Sequence, residues 1–401
     1  MLLDYIWWMI KMSKKEKIRY NLDNIDKEGA QINIIHGKRS NGKSYQVKHK
    51  KGVLKYFNGE NPRYISSYKN KEKVLEEILE KGTRFVLLRR FKDEISTANV
   101  EQYFDDVDIM KISDNKYNCI VAYKGRIYLA NYDSETTKAI KGNYIGYYRA
   151  LSQEQVYAGN SMLDVTDIIF EEFVSRTYYL GNSEPSKLMN FYSTIDRGRG
   201  IVKLWLVGNS ITRVCPYFYG WGLSDLIKNM KKGDIKSKWI PTGDNDEDGV
   251  PVFVKLAIEW CENVAGTNYI IGEHADMANK GDWQSDPQPH LPKSYKCYKI
   301  LYRLVFLYQG FKFIGEYLMD NENKDVCWFI YPYEGEIKDN ILVFSDVIKT
   351  SPYWQKDIYN PLIKNDKLRD LLKTFKESNI FYASDMCGTD FKQVIDFEIR
   401  K

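Results

Sequence analysis

The stretch HGKRSNGKS, residues 36–44, decides the fold of the first half of this chain. Gly37, Gly42, Lys43 and Ser44 fill the P-loop pattern, in which a glycine and four further residues precede Gly-Lys-Ser. The apolar run 32–35 ends just before this stretch, and a helix-compatible segment, YQVKHKKGVLKYF, follows it. A strand, a glycine-rich turn and a helix in this order allow backbone N–H groups to surround a phosphate. The stretch therefore predicts a nucleotide-binding α/β fold.

The loop also predicts which residues contact the nucleotide. We expect Lys43 to reach the β- and γ-phosphates of ATP and the Ser44 hydroxyl to bind Mg²⁺. Arg89 and Arg90, at the end of the run FVLLRR, are further candidate cations of lower rank. The predicted nucleotide-binding residues of the loop are Gly37, Lys38, Arg39, Ser40, Asn41, Gly42, Lys43 and Ser44.

A second candidate site lies in TDIIFEEF, residues 166–173. The run 167–170 predicts a buried strand, and Glu171 and Glu172 follow at its C-terminal end, where open α/β sheets bind their ligands. In the usual order the first acid binds Mg²⁺ and the second activates the attacking water. This order assigns Glu171 to the metal and Glu172 to catalysis, although Asp is more common than Glu at the first position.

Two further features are typical of a hydrolytic motor. The apolar run 202–207 is soon followed by Asn209, whose side chain can sense the γ-phosphate. Arg197 and Arg199, in IDRGRG, lie about one helix beyond the acidic pair. Either is a candidate arginine finger for a neighbouring subunit. Because a surface ion pair is the commoner role of a single arginine, the choice between these readings stays open.

Alternating apolar and amphipathic stretches up to about residue 222 predict a largely parallel sheet. Predicted strands cover 32–35, 85–88, 167–170 and 202–207, and predicted helices cover 71–81 and 185–196. An inserted hairpin is expected at 117–129, with its turn at Lys124-Gly125, and one more strand at 252–258.

Composition changes mark a second domain. Residues 226–250 change from basic (LIKNMKKGDIKSK) to acidic (GDNDEDG), which suggests an exposed connection, and 266–294 are rich in Gly, Asp and Pro, which suggests a linker. Hairpins at 299–308, 311–319 and 325–331, a helix at 364–377 and a last strand near 393–399 then predict a smaller α+β domain. We therefore predict a P-loop domain over 1–265 and a C-terminal domain over 295–401.

Composition excludes several classes of protein. The 401 residues include 43% hydrophobic and 28% charged side chains, with a formal net charge of +5. These values are typical of an ordered protein and exclude a histone-like polycation, while a local basic groove is compatible with them. Six cysteines without a CxxC pair predict neither a zinc cluster nor a disulfide framework. The apolar start, MLLDYIWWMI, is shorter than the roughly 20 residues of a membrane-spanning helix. It predicts a packing or partner-contact segment of an intracellular protein.

Together these motifs resemble one family. GKRSNGKSY at 37–45, IIFEEF at 168–173 and, most specifically, LVGNSITRVCPYFYGWGL at 206–223 are similar to the DNA encapsidation ATPases of small short-tailed phages (podoviruses). That family is related to the terminase large subunits. The resemblance extends from about Ile32 to the hairpins past Tyr295. It implies an ASCE-type, RecA-like P-loop domain followed by an RNase H-like domain.

The resemblance also implies a viral genome packaging function. Such a motor hydrolyses ATP with Mg²⁺ and moves double-stranded DNA into an empty prohead, as a homomeric ring, usually a pentamer, on the portal vertex in the host cytoplasm. Whether a structural packaging RNA is a further partner stays open. Residue by residue, the resemblance implies Lys43 and Ser44 on phosphate and Mg²⁺, Glu171 on Mg²⁺, Glu172 as the catalytic glutamate, Asn209 as the coupling residue and Arg197 or Arg199 as the trans-acting finger.

The second domain lacks the acids expected of a nuclease. Two-metal nuclease chemistry needs several converging carboxylates. The predicted hairpin at 299–319 contains Glu316 alone, and Asp346, Asp385 and Asp390 lack a partner there. We therefore predict a vestigial nuclease fold that binds DNA or the portal without cutting. An active terminase, and a P-loop protein unrelated to DNA such as a small-molecule kinase, are the competing hypotheses.

DNA contacts of a motor should be mostly to phosphates. The basic stretch after residue 226 supplies candidates for such contacts, and a solvated basic linker explains the same stretch equally well. The candidate DNA-binding residues are Lys228, Lys231, Lys232, Lys236 and Lys238.

Overall fold

The computed structural model divides the chain into two compact units. It describes residues 20–58, 83–157, 159, 162–175, 178–181, 183–245, 248–262, 282–347, 349–356, 358 and 366–399. Of these, the first unit comprises the residues up to 210 together with 230–262 and 282, and the second unit comprises 211–229 and 283–399. Each unit is built around its own sheet.

The first unit contains a large, mostly parallel sheet. Its strands are β1 (Ile32–Gly37), β2 (Arg84–Arg89), β3 (Cys119–Tyr123), β4 (Arg126–Asp133), β5 (Lys138–Ala150), β6 (Val165–Glu171), β7 (Lys203–Asn209), β8 (Ile235–Asn245) and β9 (Pro251–Trp260). Their spatial order is β3-β4-β5-β2-β6-β7-β1-β9-β8. The strands from β5 to β9 in this order are parallel, whereas β3, β4 and β8 pair antiparallel at the two edges.

Helices follow the strands along the chain. They are α1 (Asp23–Asp26), α2 (Lys43–Val47, continued by π-helical turns over Lys48–Leu54 and by Lys55–Asn58), α3 (Thr97–Tyr103), α4 (Ile109–Ile112) and α5 (Glu184–Asp196), with 3₁₀ turns at Lys92–Glu94 and Leu151–Tyr157. Side-chain caps explain where two of them begin. The Ser96 hydroxyl accepts the Asn99 N–H at 3.2 Å, and an Asp108 carboxylate oxygen accepts the Lys111 N–H at 3.0 Å.

The central strands are buried on both faces. Every residue of β1 and β6 is buried, as expected for parallel strands that are covered on both sides. The one charged side chain inside β6 before its end, Asp167, is fully buried, pairs with Lys55 and accepts the Trp205 Nε1–H at 2.9 Å. The Lys55 ammonium and the Trp205 N–H offset the cost of burying this carboxylate, so Asp167 connects β6 to α2 and β7 without destabilising the core.

The structure confirms the predicted strands of this unit and the predicted helix at 185–196. It also confirms the hairpin that turns at Lys124-Gly125, where both residues have positive φ. The strand predicted at 252–258 is β9, which pairs with β1. The helix predicted at 71–81 and the apolar start of the chain lie outside the described residues.

The connection predicted at 226–250 is mostly exposed, as expected, but part of it forms a strand. Residues 235–245 form β8, which pairs with β9 as a long antiparallel hairpin and includes Asp244 near its end. The alternating apolar residues of β9 predict that strand, whereas its exposed partner, β8, has the composition of a loop. A strand with most of its residues exposed leaves no apolar pattern to detect.

The second unit contains a mixed sheet with the order β14-β13-β10-β11-β12-β15. Its elements are α6 (Pro216–Gly220), α7 (Ser224–Asn229), a 3₁₀ turn (Tyr295–Cys297), β10 (Tyr298–Tyr308), β11 (Phe311–Asp320), β12 (Val326–Pro332), β13 (Leu342–Ser345), β14 (Trp354–Gln355), α8 (Asp366–Glu377), β15 (Ile380–Tyr382) and α9 (Asp385–Ile399). The antiparallel strands β10 to β12 confirm the predicted hairpins. The predicted helix at 364–377 corresponds to α8.

The strand predicted near 393–399 is a helix. Residues 385–399 form α9, whose Cys387, Phe391, Val394 and Ile395 belong to the core of the second unit. Their spacing is that of one helical face. The Ser384 hydroxyl accepts the Cys387 N–H at 3.1 Å and marks the helix start.

Residues 211–229 belong to the second unit, although the sequence boundaries assigned them to the first domain. Val214 lies in the same apolar core as Phe306 and Phe344. The Arg213 guanidinium pairs with the buried Asp390 of α9. The chain thus leaves the first unit directly after β7 and returns to it at residue 230.

In the described residues, no helix is long and apolar enough to cross a membrane.

Glu259, next to the end of β9, makes the stability of the first unit dependent on pH. Burial raises its pKa to about 7 from the ordinary 4.5, although the Tyr20 hydroxyl donates to its Oε2 at 2.6 Å. A folded-state pKa above the unfolded value means that the folded protein holds this proton more tightly. The free energy of unfolding therefore falls as the pH rises from about 4.5 to about 7.

We expect Glu259→Gln to remove this part of the pH dependence. Near pH 8 the variant should be more stable than the parent chain by about 2 kcal/mol, and near pH 4.5 the difference should vanish. Chemical denaturation over this pH range measures the effect. Glu135→Gln, at an exposed carboxylate, is the matched control and should keep the parent slope. An equal slope in both variants would contradict the assignment.

Candidate nucleotide site

The carboxyl ends of β1, β7 and β6 meet at one edge of the first sheet. β7 lies between β1 and β6, and the three strands are parallel. The register pairs Gly37 with Asn209, and Glu171 with Val207. The loop after β1, the Asn209 amide and the acidic pair therefore leave the sheet at nearly the same level. Stretches that are far apart in sequence form one site.

The loop between β1 and α2 needs its glycines for steric reasons. Gly42 has a φ of 93°, in the left-handed region that strains other residues. A Cβ on Gly37 would lie 2.9 Å from the Cβ of Cys261. The Asn41 side chain accepts the Lys43 N–H at 3.2 Å and stabilises the turn into α2.

Lys43 lies over the loop and contacts its oxygen atoms. Its ammonium donates to the carbonyl oxygens of Lys38 (2.6 Å) and Gly37 (3.3 Å), and to the amide oxygens of Asn41 (3.2 Å) and Asn209 (3.4 Å). Burial lowers the pKa of Lys43 to about 8. At pH 7 the Lys43 side chain is therefore still mostly protonated and cationic. The contact with Asn209 joins the loop to the end of β7.

Ser44 and Glu171 bring two oxygen ligands together at the start of α2. The Ser44 hydroxyl donates to Oε2 of Glu171 at 2.9 Å, and the Tyr103 hydroxyl donates to Oε1 at 2.6 Å. Burial raises the pKa of Glu171, and these two hydrogen bonds oppose the effect. A hydroxyl and one carboxylate, completed by phosphate oxygens and water, are a ligand set that suits Mg²⁺. The residues present therefore fit a nucleotide with its magnesium ion.

Glu172 has an unusual backbone conformation, held by two arginines. Its φ is 57°, in the left-handed region. The Arg89 guanidinium donates to Oε2 of Glu172 at 2.8 Å. Arg90 donates to the carbonyl oxygens of Glu172 (3.1 Å) and Phe173 (2.6 Å), and it pairs with the buried Glu184 at 3.0 Å. Arg90 therefore positions the backbone, while Arg89 holds the carboxylate.

The two candidate finger arginines have different environments. Arg197 is exposed, ends α5 in the left-handed conformation and donates only weakly, through Nε, to the Thr194 carbonyl at 3.3 Å. Arg199 is buried and donates to the carbonyl oxygens of Asp196 (3.0 Å), Ile195 (3.0 Å) and Leu163 (2.5 Å). The Arg199 guanidinium is thus bound within its own unit, which favours Arg197 as the finger. Arg197 stays the candidate.

The five candidate DNA-binding lysines are divided between the two units. Lys228 lies in α7 of the second unit, where its ammonium donates to the Gly310 carbonyl at 2.9 Å. Lys232, in the first unit, pairs with Asp282. Lys236 and Lys238 lie on the exposed hairpin of β8 and β9, on one face because they are two positions apart in a strand. Lys231 lies just before that hairpin.

The acids of the second unit are bound separately by other side chains. Glu316 in β11 is fully buried and accepts from Arg303 (2.8 Å), Tyr295 (2.5 Å) and Tyr331 (3.0 Å). Asp390 pairs with Arg213, while Asp385 accepts from His290 and Asp346 accepts the Gln309 N–H. In the part of the chain that the structure describes, no three His, Cys, Asp or Glu side chains are grouped as metal ligands.

Sequence reasoning missed two residues of this site. Tyr103 is far from the motifs in sequence, and its hydroxyl reaches Glu171 from the end of α3; no sequence signal identifies it. Arg89 was ranked as a cation for the nucleotide, but its partner is Glu172. The position of Arg89 at the end of β2 was the available signal for this contact, because β2 and β6 are neighbours in the sheet.

Comparisons with known proteins identify related sequences. Residues 53–243 match the family described as Podovirus DNA encapsidation protein (Gp16). The matched segment contains the acidic pair and Asn209 and begins after the P-loop.

Two curated relatives are DNA packaging proteins of Bacillus phages. The protein of phage phi29 is 25% identical and that of phage PZA 29% identical, each over 252 residues. Each alignment covers 61% of this chain and 66% of the relative, so the chain spans just under two thirds of the length of either.

Among solved structures, the bacteriophage phi29 viral genome packaging motor assembly is similar, with a TM-score of 0.51 and 20% identity. That alignment covers 95% of this chain and 99% of the other. At this identity the likeness concerns the fold alone.

The environments of the two arginines predict different effects on stability. Arg199→Ala removes hydrogen bonds to three buried carbonyl groups, so the free energy of unfolding should fall by about 2–3 kcal/mol. Arg197→Ala is the matched control, at an exposed helix end, and should change it by less than about 0.5 kcal/mol. Chemical denaturation measures both. A destabilised Arg197 variant beside an unaffected Arg199 variant would reverse the assignment.

Proposed function

Because the chain is a homologue of the podovirus DNA encapsidation proteins, we propose that it is an ATP-hydrolysing motor for viral genome packaging. In this proposal the protein moves double-stranded DNA into an empty prohead. It acts as a homomeric ring, a pentamer, on the portal vertex, within the host cytoplasm. A structural packaging RNA is a further candidate partner.

One observation carries the enzymatic part of the proposal. The Ser44 hydroxyl lies 2.9 Å from the Glu171 carboxylate, and the Lys43 ammonium lies 3.4 Å from the Asn209 amide oxygen. A cation for the phosphates, a pair of metal ligands and a polar sensor of the γ-phosphate thus come from three adjacent strand ends. This is the set of parts that P-loop hydrolases use.

The residues of the site divide the chemistry among them. The backbone of the loop 37–44 and the Lys43 ammonium bind the phosphates of ATP. Ser44 and Glu171 hold the magnesium ion, and Tyr103 keeps the Glu171 carboxylate oriented. Bound Mg²⁺ neutralises charge on the β- and γ-phosphate oxygens. Glu172 accepts a proton from the attacking water, and Asn209 responds to the loss of the γ-phosphate.

Glu172 must leave Arg89 before it can act as a base. A carboxylate that is ion-paired with a guanidinium is a weaker proton acceptor than a free one. The contact of 2.8 Å between them therefore keeps the turnover low until another interaction competes for Arg89 or moves the Glu172 side chain. In a motor, DNA binding is a suitable trigger for this release.

We propose finer assignments for both folds. The position of β7 between the loop strand β1 and the acidic strand β6 supports an ASCE-type, RecA-like P-loop domain. The antiparallel strands β10 to β12, joined by the parallel strand β13, support an RNase H-like domain that has lost its nuclease site. Arg303, Tyr295 and Tyr331 bind Glu316 in place of a metal.

Oligomerisation and DNA contact rest on exposed cations. Arg197 is proposed as the finger that reaches the nucleotide of the next subunit. Lys236 and Lys238 are the preferred DNA contacts among the candidate lysines, because both are exposed and lie on one face of β8.

DNA-stimulated ATP hydrolysis tests the proposed function. Lys43→Ala should lose ATP binding, whereas Glu172→Gln should retain ATP binding and lose turnover by roughly a hundredfold or more. Lys111→Ala, at an exposed lysine away from the site, is the control and should hydrolyse ATP normally. Hydrolysis that neither DNA nor proheads stimulate would contradict the motor and favour a kinase.

Release of Glu172 is tested by Arg89→Ala. We expect hydrolysis without DNA to increase about fivefold, since a partly exposed ion pair contributes about 1 kcal/mol, and the stimulation by DNA to decrease accordingly. Lys92→Ala, an exposed neighbour, is the control. An equal loss of hydrolysis with and without DNA would instead show that Arg89 acts on the nucleotide.

A further inference from the structure

The outer face of the strands β3, β4 and β5 combines cations with tyrosine rings. The Lys141 ammonium lies 3.7 Å from the centroid of the Tyr123 ring, and the Arg126 guanidinium carbon lies 5.0 Å from that of Tyr144. These contacts lie within cation–π distance. We name this surface the tyrosine–cation face, defined by Tyr123, Lys124, Arg126, Tyr128, Lys141, Tyr144, Tyr147 and Arg149.

The cations of this face are not neutralised by carboxylates of the described residues. In the described part of the chain, neither Lys124, Arg126, Lys141 nor Arg149 forms an ion pair with a carboxylate. The acid nearest to the tyrosines, Asp164, is buried and accepts the Tyr144 hydroxyl at 2.8 Å, besides pairing with Arg84 at 3.4 Å. The face therefore presents positive charge without an internal counterion.

One of these cations, Arg149, is held in place by the backbone. Arg149 donates through Nη1 to the carbonyl oxygens of Gly125 (2.6 Å) and Tyr148 (2.8 Å). The turn at Lys124-Gly125 makes this possible, because a Cβ on Gly125 would lie 2.5 Å from that same nitrogen. Fixed cations lose less entropy on binding a ligand than flexible ones do.

The opposite side of these strands is core, so the side that carries Tyr123 faces outward. Tyr147 is the exception, because it is buried and its hydroxyl donates to Asp164. Ile120, Ile127 and Leu129 are buried in the first unit. On the outer side Tyr123 is 44% exposed, and Tyr132, further along β4, is 49% exposed. Exposed aromatic rings beside cations without carboxylate partners are the combination that binds single-stranded nucleic acid.

We propose that the tyrosine–cation face binds a single-stranded segment of nucleic acid. The cations contact its phosphates, and Tyr123 stacks on an unpaired base. A duplex hides the faces of its bases, so a duplex would use the cations alone. This site lies on the antiparallel edge of the sheet and contains none of the proposed nucleotide-binding or DNA-translocating residues, so it goes beyond the proposed function.

Fluorescence anisotropy with labelled oligonucleotides of about 12 nucleotides tests the proposal on the full chain. The probes are oligo(dT), oligo(rU) and a DNA duplex with a similar number of phosphates. We expect the single strands to bind more tightly than the duplex. Tighter binding of oligo(rU) would assign the site to an unpaired RNA segment, and tighter binding of oligo(dT) would assign it to a DNA strand.

Charge variants test the cations. Arg126→Glu combined with Lys141→Glu should weaken single-strand binding by at least roughly tenfold. It should also lower the slope of log affinity against log salt by about 1.4, since each neutralised phosphate contributes about 0.7. Lys92→Glu combined with Lys111→Glu makes the same charge change at exposed positions outside the face. Equal weakening by both pairs would overturn the proposal.

Ring variants test the stacking. Tyr123→Leu should weaken binding of single strands by roughly tenfold and leave duplex binding unchanged, while Tyr123→Phe keeps the ring and the affinity. Thermal melting of each variant checks its folding. Equal affinities for duplex and single strands, together with no effect of Tyr123→Leu, would overturn the single-strand proposal in favour of simple backbone attraction.

Discussion

The parallel register of β1, β7 and β6 is the constraint on which the site depends. Because Gly37 is paired with Asn209, and Val207 with Glu171, the three strand ends leave the sheet together. The loop, the amide and the carboxylate then come within hydrogen-bond distance without any long-range flexible element. A slip of one residue in either pairing would turn every side chain of the shifted strand to the other face of the sheet. The buried Asp167 opposes such a slip of β6, because its carboxylate would lose Trp205 and Lys55 as partners.

Arginines of the first unit show how one residue type serves three purposes. Arg90 is buried with Glu184 and positions the backbone after the acidic strand. Arg89, its neighbour, lies on the other side of the strand and reaches the Glu172 side chain. Arg199 closes the end of α5 by binding carbonyl oxygens, which leaves the exposed Arg197 as the cation that faces solvent there. Burial and partner, and not residue type, separate structural from functional arginines.

The predictions succeeded where burial leaves a pattern in the sequence. The predicted strands are buried apolar runs, at 32–35, 85–88, 167–170 and 202–207. A short apolar run that is flanked by Gly-rich or charged residues is best explained by a buried strand. Of the long hairpin, the sequence predicts β9 but not β8, because β8 is mostly exposed. The last helix was read as a strand because QVIDFEI alternates, although its core contacts follow a helical face. Alternation over a few residues does not distinguish the two periods.

The motifs alone predict a phosphate-binding loop, an acidic pair after a buried strand and a resemblance to one family. Residue identity and spacing along one strand or loop are enough for that, because the contacts of a P-loop are local. Only the tertiary structure decided which distant groups complete the site. Tyr103 and Arg89 meet the acidic pair through packing and strand order, and Arg199 is buried while Arg197 is exposed. Such pairings depend on how the sheet is assembled, and no local pattern encodes that order.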